Sequence, residues 1–310
     1  FRNEISPREF LFRSREFEQM EIEYFIAPKM KCDFIDEIKG IETEILTAEM
    51  QAQKKEGKKI KIYDAYKKGF IKNDWHAYFL ALELSWFLSL GANPEKFRAR
   101  QHTVEERSHY ATDTWDLEYN FPMGWRELQG FADRGDYDLK QHEKFSKQKM
   151  EIHDEKLGKI TPHVICEPSL GVERAFLVFM LDAYENDKKR DNIVLHLDSK
   201  LAPYKAAIFP LVSKGEILEM AQEVHHSLLE DFNVLFDKSG SIGRRYARND
   251  EMGTPFCITV DEDSLKDKSV TIRDRDTTKQ IRVKTSDLAD ILRKLINKKI
   301  EFEEAGKIAK

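Results

Sequence analysis

REFEQMEIEYF, residues 15–25, alternates along its length. Read as an extended strand, Phe17, Gln19, Glu21, Glu23 and Phe25 share one face, and Glu18, Met20, Ile22 and Tyr24 share the other. The second face can pack on a helix. The first sets carboxylates beside aromatic rings, which is costly to bury unless cations or a ligand sit against it. A solvated sheet face is the plain reading of such a strand. The neighbouring stretch FRNEI (residues 1–5) argues against it, because it alternates too and brings Arg2 and Glu4 to one face. Between them, SPREFLFR (6–13) adds Arg8 and Arg13 on a turn-bearing loop. A hairpin with arginines at one end and carboxylates along its face suits a molecule with one anionic and one cationic end.

A further piece is EPSLGVER, residues 167–174. Glu167 and Ser169 end the strand HVICEPSL, and Gly171 opens a helix with Arg174 in its first turn. Helix N-termini favour anions, and an arginine there adds a bidentate phosphate donor. Taken alone, this is an ordinary helix start.

The bulk numbers bound the answer. The 310 residues suit roughly two domains, and 41% hydrophobic with 35% charged residues is a globular composition. A net charge of −5 excludes a global positive field, so any RNA must be met by a local patch, and nothing points to DNA. Cys32, Cys166 and Cys257 lie far apart without zinc or disulfide spacing, as expected in a reducing, cytoplasmic setting. His102, His109 and His142 show no metal spacing either, and RSHYATDTWD (107–116) reads as a core packing element. The longest apolar stretch, AYFLALELSWFLSL, is interrupted by Glu83 and too short to span a bilayer, so no membrane contact is expected.

Strand patterns fill residues 1–35. Residues 36–70 are charged and helix-compatible, and read as a helical insertion. Residues 74–90 form an apolar helix stopped by Gly91 and Pro94. Alternation resumes over 97–139, residues 140–160 are polar and peripheral, and VERAFLVFMLDAY reads as a central helix. ENDKKRD (185–191) reads as a linker. Beyond it strands alternate with helices and end in a hairpin, SVTIRDRD with KQIRVK. A helix with Ser286 as its N-cap follows. The expectation is an α/β (α+β) chain: an antiparallel sheet with flanking helices over 1–187, then a mixed-sheet α/β domain over 191–310.

FRNEISPR and FRSREFEQMEIEYF together resemble motif 2 of class II aminoacyl-tRNA synthetases, in the form found in glycyl-tRNA synthetases, and EPSLGVER resembles their motif 3. RARQHTVEERSHYATDTWDLEY and GWRELQGFADRGDYDLKQH look like the same family. DKSGSIGRRYARNDEMGTPFCITVD and VTIRDRDTTKQIRVK resemble its anticodon-binding domain. The likeness covers most of the chain and is nearer the archaeal or bacterial dimeric form. The family's motif 1 precedes motif 2, so the expectation is a fragment that starts within motif 2 and is inactive alone, taken from a homodimeric protein.

The resemblance implies a glycine–tRNA ligase that activates glycine with ATP and passes it to tRNA(Gly). Arg2 and Arg174 would be catalytic, on the α- and γ-phosphates. Arg2, Asn3, Glu4, Phe12, Arg13, Phe17, Glu127, Leu128, Gly171 and Arg174 would form the ATP site, with Glu127 also meeting Mg2+. Glu21 and Glu167 would take the glycine ammonium, supported by Glu23, and Ser169 would crowd out a side chain. Arg244, Arg245, Arg248, Arg273 and Arg282, with Tyr246, would contact the anticodon, since arginine and aromatic groups suit unpaired bases. Internal ion pairs are the competing reading for these arginines, above all Arg273 and Arg275, given Asp250, Asp274 and Asp276 nearby. The alternative function is a non-catalytic paralogue acting as an RNA-binding or accessory module. One departure stands out: HVICEPSL carries an extra residue at Cys166, which misplaces Glu167 unless a bulge absorbs it.

Overall fold

The computed structural model describes residues 1–5 and 16–309. The chain packs as two compact units, Phe1–Val178 and Phe179–Lys310.

The first unit contains β1 (Arg2–Ile5), β2 (Glu16–Glu21), β3 (Tyr24–Ile26), β4 (Glu42–Leu46), α1 (Ala48–Ala52), β5 (Lys58–Lys61), α2 (Ile62–Lys67) and α3 (Asp74–Ser89). It continues with β6 (Phe97–Gln101), β7 (Asp113–Phe121), β8 (Gly124–Asp133), α4 (Tyr137–Ser146), β9 (Ile152–Asp154), β10 (Gly158–Ile160) and β11 (His163–Gly171), and α5 (Val172–Ala183) crosses the boundary. One sheet runs in the order β1-β2-β11-β8-β7-β6-β4-β5, with β3 also paired to β11. Its pairs are antiparallel except β4 with β6. The side chain of Asn73 caps α3 by accepting from the Trp75 amide at 2.8 Å. Trp75, Leu80, Leu84 and Phe87 of α3 are buried, and the helix packs on β7, β8 and β11.

Residues 36–70 are not a helical excursion. They supply β4 and β5 to the sheet and bury Ile45, Ile60, Ile62 and Ala65. The lysines conceal this, because β5 (KKIK) turns only Ile60 inward.

Two bulges set which residues face where. In β11 the register with β3 shifts between Val164 and Cys166, so the extra residue is absorbed before Glu167. In β8 the register with β7 shifts so that Glu118 opposes Glu127 while Leu117 opposes Gln129, leaving Leu128 unpaired. Positions 127 and 130 would face opposite ways in a regular strand, and the bulge returns both to one face.

The second unit contains β12 (Tyr184–Asp187), β13 (Asn192–Leu195), β14 (Ala206–Pro210), α6 (Gly215–Leu229), β15 (Val234–Phe236) and α7 (Ile242–Met252). Then follow β16 (Phe256–Val260), α8 (Glu262–Asp267), β17 (Ser269–Asp274), β18 (Gln280–Lys284), α9 (Leu288–Ile296) and β19 (Lys307–Ile308). The sheet order is β15-β14-β16-β17-β18-β19, parallel across the first three strands and antiparallel beyond. One face packs Ile208, Ile258 and Ile272 against Val224 and Leu228 of α6 and Leu292 of α9. The other packs Phe209 and Cys257 against Ile242 and Tyr246 of α7.

Two local expectations are corrected. Residues 185–191 are no linker: β12 pairs antiparallel with β13, and Asp191 takes a left-handed φ of 49° at the turn. Ser286 does not cap α9. It lies in a 3-10 turn, its hydroxyl bonds Asp287, and Asp287 holds the N-cap position.

Candidate active-site cleft and RNA-binding face

A cleft of about 430 Å³ opens on the first unit's sheet, lined across β1, β2, β11, β8 and β7. The register places Ser169 opposite both Glu21 and Gly130, and Gly130 opposite Asp116. Adjacent strands are separated by about 4.8 Å. The floor therefore runs Glu21, Ser169, Gly130, Asp116 in one row, and Gly130 leaves a gap in it.

Arg2 stands at one end. Its guanidinium lies 2.9 Å from Glu21 Oε2 and 3.2 Å from Glu4 Oε2, and donates to Gln19 Oε1 at 3.1 Å. Gln19 Nε2 in turn donates to Ser169 Oγ at 2.5 Å. The glycine-site candidates Glu21, Glu167 and Ser169 are thus brought together with Arg2, and Glu23 lines the same cleft. Burial pushes the Glu167 carboxyl above its ordinary range, Arg134 opposes that shift, and Glu21 and Glu23 add to it. Arg134 Nη1 donates to Glu167 Oε2 at 2.6 Å. Asp138 accepts from Arg134 at 2.6 and 2.9 Å, and the guanidinium lies over the Tyr110 ring at 4.1 Å.

The ATP-site candidates divide. Asn3 is exposed opposite Glu18, and the half-buried Phe17 lies opposite Glu4. Arg174 Nη1 donates to the Glu127 carbonyl at 2.8 Å and lies 3.6 Å from Glu127 Oε1, beside Gly171. Leu128 is corrected: its side chain is buried at 1% exposure and does not line the cleft, because the β8 bulge turns it into the core. Phe12, Arg13 and Arg8 lie outside the described residues.

Sequence reasoning missed Gln19, Arg134, His102, Asp116, Tyr110 and Gly130. RSHYATDTWD is core only in part: Trp115 and Ala111 are buried, while Ser108, Tyr110, Thr114 and Asp116 line the cleft. His102 Nε2 lies 2.7 Å from Asp116 Oδ2, with Asp116 almost fully buried. Burial raises the Asp116 carboxyl to about 6 against the pull of His102, and the hydrogen bond to Asp116 raises His102. The signal available in sequence was the period-2 pattern of β7, which puts Thr114 and Asp116 on one face.

The second unit corrects two of the five arginines in the anticodon set. Arg245 is 3% exposed and donates to the carbonyls of Pro210, Lys238 and Gly240, clamping loops together. Arg273 is buried, bidentate on Asp250 at 2.8 and 3.0 Å, and 4.8 Å from the Tyr246 ring. Arg275 is buried on the carbonyls of Gly253 and Leu197. Arg282 pairs with Asp261 and Ser269. Arg248, 43% exposed, pairs with Asp237 at 2.5 Å. Arg244 is exposed. A buried guanidinium whose terminal nitrogens are taken by carbonyls or a carboxylate cannot read a base, so Arg245 and Arg273 leave the set.

Among the described residues no helix is long and apolar enough to cross a membrane.

Residues 205–295 match the family described as Anticodon binding domain. The glycine–tRNA ligase of Geobacillus thermodenitrificans is 43% identical over 97% of this chain and 55% of its own length. That of Bacillus cereus is 43% identical over 97% of the chain and 56% of its own length. That of Rhodopirellula baltica is 40% identical over 93% and 52% respectively. The chain spans slightly more than half the length of these curated relatives. Along nearly its whole length this chain is similar to glycine–tRNA ligases, and its residues 205–295 match an anticodon-binding domain family.

Proposed function

We propose that this chain forms the adenylate-forming site and anticodon-binding domain of a glycine–tRNA ligase, which joins glycine to ATP and passes it to tRNA(Gly). The observation that carries the reading is the set Glu21, Glu23 and Glu167 beside Arg2 and Ser169 in one cleft. Glycine offers an ammonium, a carboxylate and no side chain. The carboxylates take the ammonium, Arg2 takes the carboxylate and the adjoining α-phosphate, and Ser169, tied to Gln19, closes the space a side chain would need.

Activation is an in-line displacement at the α-phosphate. The glycine carboxylate oxygen attacks, the new mixed anhydride bond forms, and pyrophosphate leaves. Catalysis here is positioning and charge neutralisation by groups already held in place. Arg2 neutralises charge at the reacting phosphate and Arg174 at the leaving end. Phe17 supports the base, Glu4 accepts from its amino group, and Asn3 and Gly171 complete the wall. Arg134 positions Glu167 rather than touching the reacting atoms.

Among the described residues no group of three or more His, Cys, Asp or Glu side chains is placed to hold a metal alone. Glu127 fits Mg2+ delivered with the triphosphate, because it offers an exposed hard oxygen within the cleft. When bound, the ion would neutralise phosphate charge. For the acceptor, Arg244 and Arg248 are the most exposed cations of the expected anticodon set, and Arg282 is half-buried. Homodimerisation and a cytoplasmic setting belong to the same proposal.

Calorimetric titration with a non-hydrolysable glycyl-adenylate sulfamate tests it. Saturable binding is expected. Glu21→Gln and Glu167→Gln should each weaken it by about tenfold or more, the loss for a charge-assisted hydrogen bond. Equal affinity for the alanyl analogue contradicts glycine selection.

A further inference from the structure

Strands β2 and β11 carry a second pocket on the face opposite the cleft. Glu21 and Ser169 belong to the cleft, while their strand neighbours Met20, Ile22, Pro168 and Leu170 line a cavity of about 420 Å³. Leu82, Glu83 and Trp86 of α3 form its other wall, and Gln129 of β8 joins them. The volume is in the range of small-molecule sites. Ile22, Leu82 and Trp86 remain 47%, 44% and 40% exposed at its rim.

Its polar content is one-sided. The lining includes the carboxylate of Glu83 and no Lys, Arg or His, while the carboxylate of Glu21 is held by Arg2 on the cleft side. Gln129 is 3% exposed, and its Oε1 has no hydrogen-bond partner, although its side chain bonds Glu83. Burial pushes the Glu83 carboxyl above its ordinary range. A buried acceptor without a partner is costly, and a half-buried carboxylate asks for a cation. An apolar slot with acceptors at its base is complementary to an apolar body with a positively charged donor at one end.

We propose that this pocket binds a small amphiphilic amine, with the ammonium between Glu83 and Gln129 Oε1 and the hydrocarbon body among Met20, Leu82, Trp86 and Leu170. The site is independent of the glycine reading.

The probe is phenethylamine, with 2-phenylethanol as the neutral counterpart, titrated against the 310-residue chain. Readouts are calorimetry and tryptophan fluorescence, since Trp86 lines the pocket. Saturable binding is expected, with the alcohol weaker by about tenfold or more, the usual worth of one charge-assisted contact. Glu83→Gln should lose that preference. Leu82→Glu, on the exposed rim, should change phenethylamine affinity without unfolding the chain. No saturable binding overturns the proposal. So does equal affinity for amine and alcohol, or retention of the preference in Glu83→Gln. A concentration-dependent dimer in sedimentation that Leu82→Glu dissociates, with no phenethylamine bound, overturns it in favour of a second copy on this face.

Discussion

Arg273→Ala should unfold the second unit far more readily, although the sequence first suggests an RNA contact. The Arg273 side chain is 8% exposed and Asp250 3%, and two hydrogen bonds join them. Removing one partner of a buried pair leaves an uncompensated charge, a loss of about 3–5 kcal/mol. Arg190 Nη1 stays 3.4 Å from Asp250 Oδ2 and moderates the loss, so about 3 kcal/mol is the expectation. That corresponds to roughly a hundredfold shift in the opening equilibrium. All the tryptophans, Trp75, Trp86, Trp115 and Trp125, lie in the first unit, so their fluorescence does not report this event. Amide hydrogen exchange of β16 and β17, read by mass spectrometry, does. Exchange there should accelerate by about two orders of magnitude, while the same strands in Arg244→Ala stay within the roughly 0.5 kcal/mol typical of surface changes. Unchanged exchange in Arg273→Ala together with abolished RNA binding would refute the structural role.

Arg134→Met should weaken the glycyl-adenylate analogue by about tenfold or more, and a double-mutant cycle with Glu167→Gln in calorimetry should be strongly non-additive. Additive losses would separate the two residues. Gly253→Ala should destabilise the second unit by about 1–3 kcal/mol in urea titration, because φ is +76° and the new Cβ would meet Leu197 Cδ1 at 2.9 Å. A neutral outcome would mean that the α7 terminus relaxes. The first unit should lose stability as pH rises from the ordinary carboxylate range through about 6, where Asp116 releases its proton, and further as His102 does. Asp116 and His102 both have folded pKa values above their unfolded ones, so both contribute stability at low pH that is lost as each releases its proton. Arg100, Glu118 and Glu127 also act on this pair. Tryptophan-monitored urea melts of Asp116→Asn should show a shallower fall, and an identical slope would exclude the pair as its source.

Strong local patterns were legible in the sequence. The apolar run with Gly91 and Pro94 after it marks α3, and the alternation around Glu21 marks a sheet face with charge on it. Arg174 lies in the first turn of the helix after β11 as expected, although Gly171 ends the strand and Val172 opens the helix. Three kinds of feature were hidden. Strands β4 and β5 carry few apolar residues between lysines and glutamates, so composition overrode period. The β8 bulge reverses facing within Glu127–Gly130, and no residue type announces it. The fate of each arginine depends on tertiary partners: Arg244 and Arg245 are neighbours in sequence, yet one is exposed and the other clamps three carbonyls. Arg134 was overlooked for the same reason, because its Glu167 partner lies 33 residues away.

The most direct test of the account is amino-acid-dependent ATP–pyrophosphate exchange by the protein that carries this chain, measured with each standard amino acid in turn. The account predicts exchange with glycine alone, reduced by orders of magnitude in Arg2→Ala and Glu167→Gln. Exchange driven by another amino acid, or none from a folded protein that still binds tRNA, would contradict it.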